Sequence, residues 1–340
     1  GGSTGCRAGA RAGSSFPRDV AMTEVTILGA GVAGLCVAHE LTTRGASVHL
    51  IDPQGGLTGC SRYAGGMLAP FCEGETAVAE VVTLGQGAAD WWAAAGVQVE
   101  RRGTLVVALG RDQRELVRFG RRVPQHRALS APEISELEPA LADRFQKALF
   151  VQDEAHLDPR KALSFLRDGL ARRGVPIVTD GPISGQLIDC RGLAAREDLP
   201  KLRGVRGEMV ILRAPDVTLH RPIRMLHPRH PIYIVPRGEG LYMLGATQIE
   251  SGDQGPARLR GIAELLNAAY ALHPAFAEAE VLEIGADARP AFPDNMPRVV
   301  QGPDRIHVNG LFRHGFLMAP ALAQEAATLV LNSRKPEHIE

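Results

Sequence analysis

Gly29, Ala30, Gly31, Val32, Ala33 and Gly34 make a G-x-G-x-x-G run between a short apolar segment, residues 25–28, and a helix-forming segment that reaches about Arg44. Glycine in the first place allows a tight turn. In the second it lets the backbone approach a pyrophosphate, and in the third it lets a helix pack closely on a strand. The helix N-terminus then offers N–H groups to phosphate oxygens. Asp52 stands 18 residues beyond Gly34, at the end of the next apolar run, residues 47–51. A carboxylate there accepts hydrogen bonds from ribose hydroxyls and repels a 2′-phosphate, so FAD or NAD is favoured over NADP. The bland alternative for so common a pattern is a packing turn at a sheet edge.

Two further segments turn the reading towards a flavin. Gly59-Cys60-Ser61-Arg62-Tyr63-Ala64-Gly65-Gly66-Met67-Leu68-Ala69-Pro70 is a row of small residues that permits a flat ring system to lie against the backbone. Gly310-Leu311-Phe312-Arg313-His314-Gly315-Phe316-Leu317-Met318-Ala319-Pro320 leads into the last helix. The N-terminal dipole of that helix would stabilise negative charge on the N1 and C2 carbonyl side of a reduced flavin.

Together with the fingerprint, these segments resemble the D-amino acid oxidase family of flavoproteins, with the nearest likeness to its glycine-oxidising branch in thiamine biosynthesis. Matching pieces continue through Ile232-Tyr233-Ile234-Val235-Pro236-Arg237, Leu244-Gly245-Ala246-Thr247, Ala288-Arg289-Pro290 and Asp294-Asn295-Met296-Pro297, so the likeness runs from about Met22 to Asn332. It implies an α/β fold: an FAD-binding Rossmann-like domain from residues 22–76, 150–205 and 286–333, and a substrate domain on a mixed or antiparallel sheet from residues 77–149 and 206–285. It places Tyr233 and Arg289 on the substrate carboxylate and Arg313 in the loop against flavin and substrate. Chemistry agrees, since an Arg fork matches a carboxylate in two bonds and a Tyr hydroxyl adds a third. Plainer roles remain open: a loop brace for Arg289, a core aromatic for Tyr233, a carbonyl cap for Arg313. The cofactor-binding residues implied are Gly29 to Gly34, Asp52, Ser61, Ala64, Gly65, Gly66, Met67, Leu68, Gly310, Phe312, Arg313, His314, Gly315, Phe316 and Leu317. The expected cofactor is non-covalent FAD, because the cysteine that tethers flavin in related sarcosine oxidases has no counterpart after Cys190. The implied reaction is hydride transfer from the α-carbon of glycine or another small amino acid to flavin N5, with oxygen or another acceptor taking the electrons; a D-amino acid, sarcosine or proline dehydrogenase is the alternative. A homo-oligomer is also implied. One departure stands out: where family members carry a longer β-meander walling the adenine, Gly181-Pro182-Ile183-Ser184-Gly185 passes almost directly into residues 186–190.

The elements that must position these groups can be read from periodicity and punctuation. Residues 77–95, carrying Trp91 and Trp92 as core anchors, read as one helix, and 97–109 as a strand pair turning at Arg102-Gly103. Residues 112–122 read as a charged surface helix. Ser130 and Glu133 form a capping box for a short helix over 132–137. Asp158 and Pro159 open a helix to about Arg173, flanked by strands at 148–152 and 175–178 expected in the same sheet. Strands are expected at 207–212, 231–235, 241–247 and 306–308, the second and third joined by a hairpin, with helices over 258–272 and 319–331.

At 340 residues and 45% hydrophobic content, the chain can bury one large core or two packed together. Lys plus Arg equals Asp plus Glu at 38 each, so no net field draws it to nucleic acid or an acidic membrane, which argues against a flavin module acting on RNA. The best apolar run, from Val25, is interrupted by His39 and Glu40 short of the roughly 18 to 20 residues a spanning helix needs. Cys6, Cys36, Cys60, Cys72 and Cys190 are widely spaced without a C-x-x-C pair, which argues against a disulfide framework or zinc site and for a reducing, cytoplasmic setting. His220, His227 and His230 sit among Pro228 and Pro231 and read as a loop rather than a metal site. Cys60 reads as a packed residue before a redox thiol. No G-x-S-x-G, H-E-x-x-H or Walker pattern occurs, leaving hydrolytic and phosphoryl-transfer chemistry without candidates. Residues 1–21 read as a leader, with Met22 the expected natural start.

Overall fold

Apolar runs with almost no polar interruption form the central strands of a parallel sheet, because both of its faces are covered. In the computed structural model, which describes residues 22–333, Glu24–Leu28 and Ser47–Ile51 pair in parallel around the helix Val32–Thr43. The expected leader, residues 1–21, and the tail, residues 334–340, lie outside the described residues. The helix is apolar on almost every side, with Val32 to Ala38 and Leu41 buried, since it is packed against both the sheet and the last helix. Gly45, at φ 86°, ends it. Six strands complete this sheet in the order Arg298–Gln301, Ile306–Asn309, Gln186–Asp189, Glu24–Leu28, Ser47–Ile51, Ile177–Val178; only Arg298–Gln301 runs antiparallel.

A second sheet of nine strands runs Ile249–Glu250, Arg203–Arg213, Leu241–Gly245, Ile232–Gly238, Ile223–Leu226, Thr104–Ala108, Lys147–Val151, Arg127–Ser130. Glu280–Ala291 pairs antiparallel along Arg203–Arg213. Each sheet has its own apolar core, one around Ile27, Leu35 and Leu322, the other around Leu105, Ile234 and Leu244. The expected α/β class with a Rossmann-like unit and a second, largely antiparallel sheet is what the chain forms.

Several local readings hold. Asp158 accepts from the backbone N–H groups of Arg160 and Lys161 at the head of Pro159–Arg172. Ser130 and Glu133 cap Ala131–Leu137 reciprocally. Others are corrected by tertiary contacts. Residues 77–95 form two helices, Ala79–Gly85 and Ala88–Ala94, because the chain bends where Gly85 meets the last helix; a Cβ there would lie 2.9 Å from Leu317. Only Thr104–Ala108 of the expected strand pair is a strand; Glu100 makes a single bridge to His156. The strands expected at 148–152 and 175–178 lie in different sheets. The long strand Glu280–Ala291 was not expected, since its first five residues are mostly exposed.

The last helix is Gly315–Asn332, four residues longer at its start than expected, with Pro320 inside it. A proline there normally leaves the carbonyl four residues back without a partner. That carbonyl belongs to Phe316, and Trp92 Nε1 donates to it at 2.9 Å while the two rings stack at 5.5 Å. The fully buried Trp92 thus anchors the core and satisfies the group that Pro320 orphans. Trp92→Phe should cost about 1–2 kcal/mol of unfolding free energy in urea titrations followed by circular dichroism. Adding Pro320→Ala, which restores the helical donor, should recover most of that loss.

Candidate active site

The glycine turn is dictated by contact distances. A Cβ on Gly34 would lie 1.8 Å from the Gly29 carbonyl oxygen, and one on Gly29, at φ 93°, would lie 2.8 Å from that of Cys190. Asp52 Oδ2 accepts the Ala30 N–H at 2.8 Å and its Oδ1 that of Gln54 at 2.9 Å, so the carboxylate pins the glycine turn. Ser61 Oγ accepts the Val32 N–H at 3.1 Å, which ties the small-residue loop to the helix N-terminus.

One continuous cavity of about 1380 Å³ runs from this turn to the face of the second sheet, larger than the range of about 300–1,000 Å³ usual for small-ligand pockets. Of the residues singled out from sequence, Gly29, Gly31, Val32, Ala33, Asp52, Ser61, Ala64, Gly65, Gly66, Met67, Tyr233, Arg289, Phe312, Arg313, Gly315, Phe316 and Leu317 line it. Ala30, Gly34, Leu68, Gly310 and His314 do not; they shape the wall from behind. Gly310, at φ 76°, lies so close to Phe292 that a Cβ would come within 2.2 Å of its ring, and Leu68 is buried in the core. At the other end, Gln54, Thr58 and the segment from Cys190 to Ala194 border the cavity, and residues 181–185 do not.

Tyr233 lies on Ile232–Gly238, opposite Arg224 in one neighbouring strand and Gly245 in the other. Its ring covers Gly65, where a Cβ would fall 2.8 Å from Cε2. Burial raises the pKa of its hydroxyl, which therefore stays a protonated donor at neutral pH. Arg289 sits 5.6 Å above the Phe312 ring. Its Nε donates to the Val205 carbonyl at 3.2 Å, and its Nη2 to those of Arg206 and Thr247 at 3.3 and 3.0 Å. Arg289 thus does brace backbone, but with one edge of the guanidinium, and Nη1 is the nitrogen those carbonyls leave over. Phe312 holds φ 48°, an uncommon conformation for a residue with a side chain, fixed by its N–H bond to the Pro290 carbonyl at 2.8 Å.

Arg313 caps no carbonyl. Its Nε and Nη2 fork onto Glu73 at 2.8 and 3.1 Å, Arg224 Nη2 reaches the same carboxylate at 2.6 Å, and His314 Nδ1 lies 3.1 Å away. Burial alone would push the Glu73 carboxyl up; Arg313, Arg224 and His314 outweigh it and hold the group well below the usual carboxylate range. Sequence reading missed Glu73 and Arg224. The available signal was weak: Glu73 closes a four-residue helix, Pro70–Glu73, just after the small-residue loop, and Arg224 interrupts an apolar strand. Arg237 was also unassigned. It donates to the carbonyls of Ala64, Gly65 and Leu157, and burial pushes its pKa down to about 10.

Desolvation pushes the Cys60 thiol up to about 12, away from a thiolate, while the residue itself is half-buried in the cavity wall rather than packed in the core. His220 and His230 contact Glu138 and Glu264 separately, and His227 accepts the N–H groups of Arg229 and His230 through Nδ1. The carboxylate and imidazole group of Asp189, Asp198 and His307 is already met by Arg191 and Arg305. Among the described residues no helix is long and apolar enough to cross a membrane.

The model of the FAD dependent oxidoreductase family, DAO, matches residues 24–329. The chain belongs to that family. It is 53% identical over 321 residues to the thiamine biosynthesis oxidoreductase ThiO of Rhizobium etli, covering 92% of this chain and 98% of that protein. It is 24% identical to a glycine oxidase of Bacillus licheniformis across 93% and 95% of the two chains. The crystal structure of glycine oxidase from Geobacillus kaustophilus superposes with a TM-score of 0.78 at 22% identity, over 94% of this chain and 97% of that one; this last likeness concerns the fold. The protein is therefore an FAD-dependent oxidoreductase. Its residues fit the cofactor: Gly31, Asp52, Ser61 and Gly65 line one cavity that runs from the glycine turn to the head of the last helix, and its volume exceeds that of ordinary small-ligand pockets.

Glu73 is the buried acid that pairs with two of the cations at this site, Arg224 and Arg313. Glu73→Gln leaves Arg224 and Arg313 with a neutral partner and should cost on the order of 3 kcal/mol at pH 7. Because the folded pKa of Glu73 is depressed, its stabilisation is present above the unfolded value of about 4.3 and is lost as pH falls through the folded value. Urea unfolding at pH 7 and at acid pH should show that dependence in the parent and a weaker one in the variant.

Proposed function

We propose that this enzyme oxidises the carbon–nitrogen bond of glycine or a similarly small amino acid and supplies the imine to thiamine thiazole synthesis. The observation that carries the reading is that Arg289 and Tyr233 line one cavity, the Tyr233 ring lying over Gly65 of the small-residue loop, with the head of the last helix also in the wall. The likeness to ThiO and to glycine oxidases supports the same substrate class.

FAD, when bound, supplies the hydride acceptor at N5. The chain's own work is orientation. The free edge of Arg289 and the phenol of Tyr233 hold the substrate carboxylate, which turns the α-carbon's C–H bond towards the flavin loop. The amine must be neutral when the hydride leaves, and the cationic side chains Arg289, Arg224 and Arg313, opposed by Glu73, disfavour an ammonium there. No protein base is required. The imine is hydrolysed to the oxo acid and ammonia or passed on, and oxygen completes the cycle as peroxide. In this reading FAD is held without a covalent tether, the cysteine of related sarcosine oxidases having no counterpart in residues 191–340.

The yellow colour of the purified enzyme should stay in the supernatant after acid precipitation, and anaerobic glycine should bleach the visible bands. Oxygen uptake with glycine, sarcosine, D-alanine and D-proline ranks the substrates and separates oxidase from dehydrogenase. Arg289→Ala should raise KM steeply, by a hundredfold or so for a charge-assisted pair, with the flavin spectrum unchanged; a variant that loses FAD yet keeps normal kinetics once reconstituted would overturn the assignment.

A further inference from the structure

Arg289 has to present one edge of its guanidinium to the cavity, and a free arginine side chain holds about 2 kcal/mol of rotamer entropy against that. Its path is set by Gly207, where a Cβ would lie 2.9 Å from the guanidinium carbon, and by the carbonyls of Val205, Arg206 and Thr247. The first two belong to the regular strand Arg203–Arg213. Thr247 does not belong to a strand; it lies in the loop after Leu241–Gly245, yet its carbonyl makes the shortest of the three bonds.

What holds Thr247 is Glu208. The Glu208 N–H donates to Thr247 Oγ1 at 2.9 Å, Thr247 Oγ1 donates to Glu208 Oε2 at 3.3 Å, and the Thr247 N–H donates to the Glu208 carbonyl at 3.2 Å. Glu208 is fully buried. Its Oε1 is met by Arg206 Nη2 at 3.2 Å and by the Arg258 N–H at 2.8 Å, and Gly261 is pressed so close that a Cβ would come within 1.7 Å of Oε2. Arg206 is itself tied to the carbonyls of Asp253, Gly255 and Pro256. A buried ion pair with all of these bonds is rigid, and it ends on the one loop carbonyl that Arg289 uses.

We infer that Glu208 is a positioning residue which, through Thr247, locks the guanidinium of Arg289 in the direction that receives the substrate carboxylate. The inference rests on the carboxylate role proposed for Arg289. A scaffold role alone would affect stability, FAD retention and turnover together. Positioning instead predicts a loss confined to carboxylate affinity, because the organisation of the arginine is then completed at the expense of binding.

The test uses the FAD-loaded enzyme, with glycine for kinetics and acetate as a carboxylate probe titrated against the flavin spectrum. Thr247→Val keeps the backbone carbonyl and the volume but removes the hydroxyl. It should raise KM for glycine and Kd for acetate about tenfold, leave kcat within about twofold and retain FAD, and Thr247→Ser should restore the parent values. In an Arg289→Ala background, Thr247→Val should add nothing, the sign of a shared pathway in a double-mutant cycle. Glu208→Gln should weaken acetate in the same way. Acetate affinity that responds to Arg289→Ala but not to Thr247→Val, or a Thr247→Val loss that falls on kcat, would overturn the positioning role alone. Affinity indifferent to Arg289→Ala would overturn the carboxylate assignment and this inference with it.

Discussion

Arg237 reaches out of the second sheet with its guanidinium buried, and every bond it makes on the far side is to a backbone carbonyl: Ala64 and Gly65 in the small-residue loop, and Leu157 just before the helix Pro159–Arg172. Burial of a cation without a carboxylate partner is costly, and its pKa falls accordingly. That cost is offset only while the loop stays where its carbonyls can be reached. Gly66 makes the arrangement possible, since at φ 76° a Cβ would collide with the same Leu157 carbonyl at 2.2 Å. Roof and floor of the cavity are thereby held at one separation, and Tyr233, on the same strand as Arg237, comes to rest on Gly65.

Charge is distributed around this clamp so that each arginine has one task. Glu73 takes up one edge of Arg313 and the end of Arg224, which keeps two cations near Tyr233 without leaving them mobile. Arg289 has no acid of its own; its partners are carbonyls, which bind the guanidinium without neutralising it. A guanidinium held by carbonyls along one edge keeps its charge and the donors of its other edge, which is the form in which a buried arginine attracts a carboxylate most strongly. Arg289 and Arg313 thus differ in partner, backbone carbonyls for the one and a carboxylate for the other, although both line the cavity.

The last helix links this site to the first core. Its head closes the cavity at Gly315, Phe316 and Leu317, and its body packs on the nucleotide-turn helix. Trp92 bridges the two functions, filling the core and completing the hydrogen bonds around Pro320. A change in core packing there would be felt at the cavity wall one turn away.

The nucleotide turn was legible from residue types, because the positive φ at Gly29 and the contact of Gly34 with the Gly29 carbonyl are set within six residues and demand glycine whatever surrounds them. The same holds for the caps at Ser130 and Asp158, whose hydrogen bonds close within three residues. Tyr233 and Arg289 could be singled out only through likeness to a family, since nothing local distinguishes them from a core aromatic and a loop brace. Glu73, Arg224, Arg237 and Glu208 were given no role, because their meaning lies in partners far along the chain: Glu73 meets Arg313 across 240 positions and Arg237 meets Gly65 across 172. Local steric and capping rules were thus written in the order of residues, whereas the pairing of buried charges, the break at Gly85 and the early start of the last helix were decided by which surfaces the folded chain brought together.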